Sequence, residues 1–216
     1  MQVDIWSDIR CPFCYIGKHH FEAALAGFDG RNEVQVMWHS FELDPGMQTD
    51  QSSSIYQYLA KTKQISLEQS KDLHARVTAM ARATGLEYDF DRVVVAHSFD
   101  AHRLIQFARM AGKAEAAEEA LFRAYFNEGV NISDPSALTG IGEQIGLAGE
   151  QVQAMLDSGA YADDVRYDQR LARETGIQAV PFFLFEDKFA VSGAQPVAVF
   201  EQVLRRTQNY LERVKK

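Results

Sequence analysis

A chain of 216 residues is long enough for one large domain or for a core domain carrying an insertion. Its make-up, 46% hydrophobic and 24% charged, is that of an ordinary globular protein. No apolar run nears the roughly 18 residues of a membrane-crossing helix, and a net charge of −8 disfavours binding to nucleic-acid phosphates, so neither membrane nor nucleic acid is an expected partner.

The chain opens Met1-Gln2-Val3-Asp4 with no basic-then-apolar leader. Its only cysteines are Cys11 and Cys14, too few for a secreted disulfide scaffold. A cytoplasmic location is expected.

In chain order, Val3 to Trp6 reads as a short strand. Pro12 suits the first turn of a helix, which runs to about Ala26 and ends at Gly27. Val34 to Phe41 is a second strand with apolar groups on both faces, the pattern of a central strand. A long helical stretch follows. Ser66 to Gln69 is a capping box, with Leu73, Val77 and Met80 at helical spacing and Gly85 at the end. Ser98 opens a helix with Leu104, Ile105 and Ala108 inward. Ala114 to Phe126 is another, Asp134-Pro135 starts a fourth, and two more lie within 149–175. Pro181 to Phe185 is an all-apolar strand, Phe189 to Ser192 is its antiparallel partner, and a final helix begins near Pro196. Residues 1–44 and 177–216 thus form one small α/β domain, interrupted by an all-helical insertion over 45–176.

Two cysteines two residues apart, at a strand-to-helix junction, point to redox or metal chemistry. Disulfide exchange needs a thiolate, and a helix start favours an anion through its unpaired N–H groups and partial positive charge. Cys11 stands at that start, as an exposed tip. At roughly 100° per residue, Phe21, Leu25 and Phe28 fall within about 40° of Cys14, so Cys14 belongs to the buried face. This asymmetry suits an attacking Cys11 and a resolving Cys14. A zinc site shared with His19 or His20 conflicts with the same count, which puts both roughly 120–140° from Cys14; His39, His97 or His102 could join one only through tertiary folding. Inert packing is the remaining alternative.

Pro181 admits two readings at this point. Strand starts tolerate proline because it cannot donate to the ladder. Alternatively a cis Val180–Pro181 bond turns the backbone toward the cysteines, and Val180 offers its backbone to an extended substrate.

Asp8-Ile9-Arg10-Cys11-Pro12-Phe13-Cys14 followed by Gly17, and Ala179-Val180-Pro181-Phe182-Phe183 followed by Val191-Ser192-Gly193-Ala194-Gln195, resemble the FrnE-like branch of the DsbA family. Ala101-His102-Arg103-Leu104 and Leu121 to Phe126 resemble that family's helical insertion. The resemblance covers nearly the whole chain. It implies a thioredoxin fold with a large inserted all-α-helical domain, a Cys11–Cys14 redox pair, and a cis Val180–Pro181 bond beside it. It implies a thiol–disulfide oxidoreductase (oxidase, isomerase or reductase) acting through a mixed disulfide. Pro12, Phe13, Val180 and Pro181 are then expected to meet the substrate. His102 and Lys18 are further candidates for the groove, each with a plainer reading as a packing and a solvated residue. Expected partners are disulfides and thiols of proteins or small molecules, with glutathione or a thioredoxin-type protein as reductant. No cofactor is expected beyond glutathione as co-substrate. Some FrnE-like proteins carry further cysteines near the C-terminus; this chain has none, so no relay to a second disulfide exists within it. Two alternatives share the fold: a glutathione-dependent isomerase or transferase on a small aromatic molecule, whose relatives typically carry serine in place of the attacking cysteine, and a chaperone-like binding module with the thiols as a switch.

Overall fold

A computed structural model describes residues 1–214. The chain divides into two units: Met1–Leu43 with the chain from Asp168 on, and Asp44–Tyr167.

The first unit is built on a four-stranded sheet of β1 (Gln2–Ser7), β2 (Gln35–Ser40), β5 (Phe182–Phe185) and β6 (Phe189–Ser192), in the order β2-β1-β5-β6. β1 and β2 are parallel and the other pairings antiparallel, the thioredoxin arrangement. β1 is buried from Val3 to Ser7, because it is central and covered on both faces. β2 lies at the edge, against the expectation of a central strand. Its alternating apolar groups had suggested two covered faces, yet only Trp38 and Ser40 are buried and Met37 is 37% exposed.

Parallel and antiparallel register place Val3, Ile5, Phe183 and Phe185 on one sheet face. Helix α1 (Pro12–Ala26) and the last helix, α9 (Val197–Val214), bring Phe21 and Phe200 against it. Ring centroids of Phe21, Phe183 and Phe200 lie 4.7–5.9 Å apart. Each buried phenylalanine contributes roughly 1.5–3 kcal/mol relative to exposure, so α1 is held firmly against the sheet that carries β1. On the opposite face, Trp6 stacks on His39 at 4.5 Å.

The second unit holds α2 (Ile55–Lys63), α3 (Leu67–Ala83), α4 (Phe99–Met110), α5 (Ala114–Phe126), α6 (Pro135–Gln144) and α7 (Gly149–Asp157). It is not all-helical: β3 (Asp50–Ser54) and β4 (Val94–Val95) pair antiparallel. Leu104, Ile105, Leu121, Phe122 and Leu138 are fully or almost fully buried and form its centre. α3 begins at the expected capping box, with Ser66 and Gln69 bonded reciprocally. Its covered face, however, is Ser70, His74 and Ala81, while Leu73 and Met80 are exposed.

Helix α8 (Ala162–Glu174) spans the division, which falls at Asp168 and not at residue 177. The cause is local. Asp168 receives Ser40 N–H and His39 on its carboxylate, both at 2.8 Å, and Trp6 Nε1–H on its carbonyl, which ties this part of α8 to β1 and β2.

Candidate functional site: a dithiol at the start of α1

β1 delivers the chain to the turn Asp8–Arg10, and α1 begins at Pro12 with Cys11 as its N-cap. Asp8 is fully buried and pins this turn. Its carbonyl accepts Cys11 N–H at 2.9 Å, and its carboxylate oxygens accept Arg10 N–H at 3.1 Å and Leu43 N–H at 2.8 Å. Cys11 has extended backbone angles, φ −89° and ψ 110°, and makes no side-chain cap bond. The thiol thus stands where a helix start favours negative charge.

Cys11 is 4% exposed, not the open tip that helix counting suggested. The reason lies in a segment far away in sequence. The Val180–Pro181 peptide is cis, and the Val180 carbonyl accepts a hydrogen bond from Cys11 Sγ at 3.6 Å. Phe13, between the cysteines, is 38% exposed, and Pro12 is half-buried. Val180 and Pro181 are buried. The structure therefore brings Cys11, Cys14, Val180 and Pro181 together, with Phe13 at the rim.

Gly17 makes that meeting feasible. A Cβ there would stand 2.9 Å from Pro181 Cγ and 3.5 Å from both Phe183 Cζ and Ala194 Cα. The bare glycine lets one turn of α1 lie directly against the proline.

Cys14 is 1% exposed. Burial pushes its thiol well above the ordinary range, and the hydrogen bond and electrostatic influence of the adjacent Cys11 sulfur push it the same way; the Asp8 backbone and the Ser7 hydroxyl oppose this only in part. Cys14 is thus kept as a neutral thiol. Neither cysteine is in a disulfide.

Lys18 is not solvated. It is buried, and its Nζ lies 2.6 Å from Glu22 Oε1. His102 is fully buried on α4 of the helical unit. His20 holds the Gln195 carbonyl at 2.8 Å.

A second buried titratable cluster escaped the sequence reading. His39 has Asp4 Oδ1 and Asp168 Oδ1 each 2.8 Å from one ring nitrogen. A neutral imidazole has one N–H and could serve only one carboxylate. Burial pulls the His39 pKa down, but hydrogen bonds to Asp168 and Asp4, with their charges, outweigh it and raise it. Asp4 in an otherwise apolar strand was the available signal; Asp168 could be found only through folding.

The DsbA-like thioredoxin domain model matches residues 2–205. The Bacillus subtilis protein YwbO is 32% identical over 213 residues, 96% of this chain and 98% of YwbO. Among solved structures, the probable DsbA oxidoreductase SCO1869 from Streptomyces coelicolor superposes with a TM-score of 0.90 at 39% identity, over 97% of this chain and 90% of that one. The cytosolic disulfide reductase DsbM from Pseudomonas aeruginosa, also solved with GSH, gives 0.67 at 19% identity over 97% of this chain and 100% of its own. With a helix-capping dithiol on a thioredoxin sheet, and a family match over almost its whole length, this chain belongs to the DsbA-like thioredoxin domain family.

Proposed function

We propose that the protein is a thiol–disulfide oxidoreductase in which Cys11 attacks and Cys14 resolves. The observation that carries this reading is the unequal pair on one helix start: Cys11 at the cap position, bonded to the Val180 carbonyl, and Cys14 sealed below it as a neutral thiol. In the reducing direction the Cys11 thiolate attacks one sulfur of a substrate disulfide. The substrate S–S bond breaks, its second sulfur leaves as a thiolate and takes a proton, and a mixed disulfide forms. Cys14 then loses its proton and attacks Cys11 Sγ. The Cys11–Cys14 disulfide forms and the substrate departs with both sulfurs reduced. The reverse sequence oxidises a dithiol, and reversal partway isomerises. Val180, Pro181, Pro12 and Phe13 form the surface on which the substrate lies. Lys18, neutralised by Glu22, and the enclosed His102 take no step in this scheme.

Glutathione, as redox co-substrate, or a thioredoxin-type protein returns the pair to its dithiol form, in a cytoplasmic setting. Support for this part is the likeness to DsbM, described as cytosolic and solved with GSH. The presence of a cysteine at position 11 favours dithiol exchange over a glutathione-dependent isomerase or transferase.

The test is trapping. Cys14→Ser should accumulate a mixed disulfide with a model disulfide substrate, visible by mass spectrometry and released by dithiothreitol, while Cys11→Ser forms none. A Cys11→Ser variant with retained turnover of a glutathione conjugate would instead place the chain with the serine-type transferases.

A further inference from the structure

The redox site leaves unused a cationic groove on the far end of α9. Gln202, Arg205, Arg206, Asn209, Tyr210 and Arg213 of α9, with Phe189 of β6, line a cavity of about 460 Å³. No acidic residue lines it, although the protein carries a net charge of −8.

The groove is an organised structure. The Arg206 guanidinium lies 4.4 Å from the Phe189 ring centre, and the Lys188 ammonium 5.5 Å from that of Tyr210. The two rings meet edge-to-face at 5.8 Å. Cations and rings thus alternate, and the rings hold both cations by their quadrupoles while N–H donors stay available. Arg205 pairs with Glu201 at 3.1 Å. Among the described residues Arg206, Arg213 and Lys188 pair with no carboxylate. A solvated helix face accounts for arginines spaced along α9. It does not account for Lys188 reaching in from the β5–β6 turn onto the same aromatic pair.

We propose that this groove binds a small ligand carrying a chain of two or more phosphate groups. Two uncompensated arginines lining the groove, with Lys188 at its margin over the Tyr210 ring, suit an anion whose several charges lie a few ångströms apart. Arginine forks match phosphate oxygens two at a time, and lysine adds a point charge. A single carboxylate or monophosphate would leave cations unmatched. The phosphate chain could be free or the tail of a nucleotide, because both rings are already occupied by Arg206 and Lys188 and the protein side selects for phosphate alone.

Calorimetry with the full chain in low-salt buffer tests this, with sodium tripolyphosphate and ADP as probes. Tripolyphosphate should bind, with affinity falling as salt rises. Arg206→Gln and Arg213→Gln should each weaken it at least tenfold, and Arg206→Lys by less, while disulfide-exchange rates stay at the parent value. ADP binding tighter than tripolyphosphate identifies a nucleotide as the source; equal or weaker binding identifies free polyphosphate. The proposal fails if tripolyphosphate does not bind, if the Arg206→Gln/Arg213→Gln double variant binds it unchanged while retaining its circular dichroism spectrum, or if a short polyglutamate binds as tightly.

Discussion

The environment of two sulfurs decides the chemistry, and the residues that shape it come from different parts of the chain. Cys11 and Cys14 could be placed on a helix start from spacing alone, because a strand, a turn and Pro12 dictate it. The enclosure of Cys11 could not, since Val180 is 169 residues away. Gly17 offers a direct test of that enclosure. Alanine is the better helix former by about 1 kcal/mol, so on propensity alone Gly17→Ala would stabilise. The 2.9 Å approach to Pro181 reverses the sign: we expect a net loss of about 1–3 kcal/mol from overpacking, together with slower mixed-disulfide formation in stopped-flow assays. A stabilised variant with parental kinetics would show that the contact does not hold the proline in place. His39 provides a second test. Its folded pKa is raised, so its contribution is fully present below the unfolded value of about 6.5. That contribution is lost as pH rises through the folded value. In the disulfide form, where neither cysteine titrates, the urea midpoint should fall with rising pH over this window, and His39→Gln should flatten the slope.

Among the elements, the helices with strong local signals were legible: those opened by the Ser66 box and by Asp134-Pro135 begin where their caps predict, and the Ala114–Phe126 helix has its expected bounds although its N-cap, Lys113, makes no side-chain cap bond. Elements whose character depends on neighbours were not. β2 has the residues of a covered strand but no strand beyond it. β3 is Asp-Gln-Ser-Ser-Ser, without apolar alternation, and exists by pairing with Val94–Val95. α3 turns His74, not Leu73, inward, where its ring meets Tyr56 and Phe90 at 4.9 and 4.5 Å. Arg103 shows how a charged residue can be structural. Buried on α4, it donates to the carbonyls of Met155, Leu156, Ser158 and Ala160, which closes the C-terminal end of α7, and pairs with Asp100 at 2.8 Å. Arg103→Met would leave several of these carbonyls without a donor. A loss of about 3 kcal/mol is expected in chemical denaturation, with the reactivity of Cys11 unchanged.

At the scale of the molecule, the interrupted organisation was visible because the strand patterns readable in the sequence lie near its two ends with helical patterns between, although the short β3–β4 pair inside the second unit was not readable. The point of return was placed late, at 177, because α8 is one uninterrupted helix and only the Asp168 bonds to β1 and β2 mark where it joins the sheet unit. The site belongs wholly to that unit: the N-terminal segment carries the dithiol and the C-terminal segment carries the proline loop. The measurement closest to the central claim is therefore a redox titration of the Cys11–Cys14 pair against glutathione buffers, with thiols trapped by acid and alkylation and counted by mass spectrometry. The account predicts a single two-electron transition, about 30 mV per tenfold change in equilibrium ratio, lost in either cysteine-to-serine variant. Thiols that remain reduced at every buffer ratio, or a pair that carries one tightly bound metal ion per chain in place of a disulfide, would contradict it.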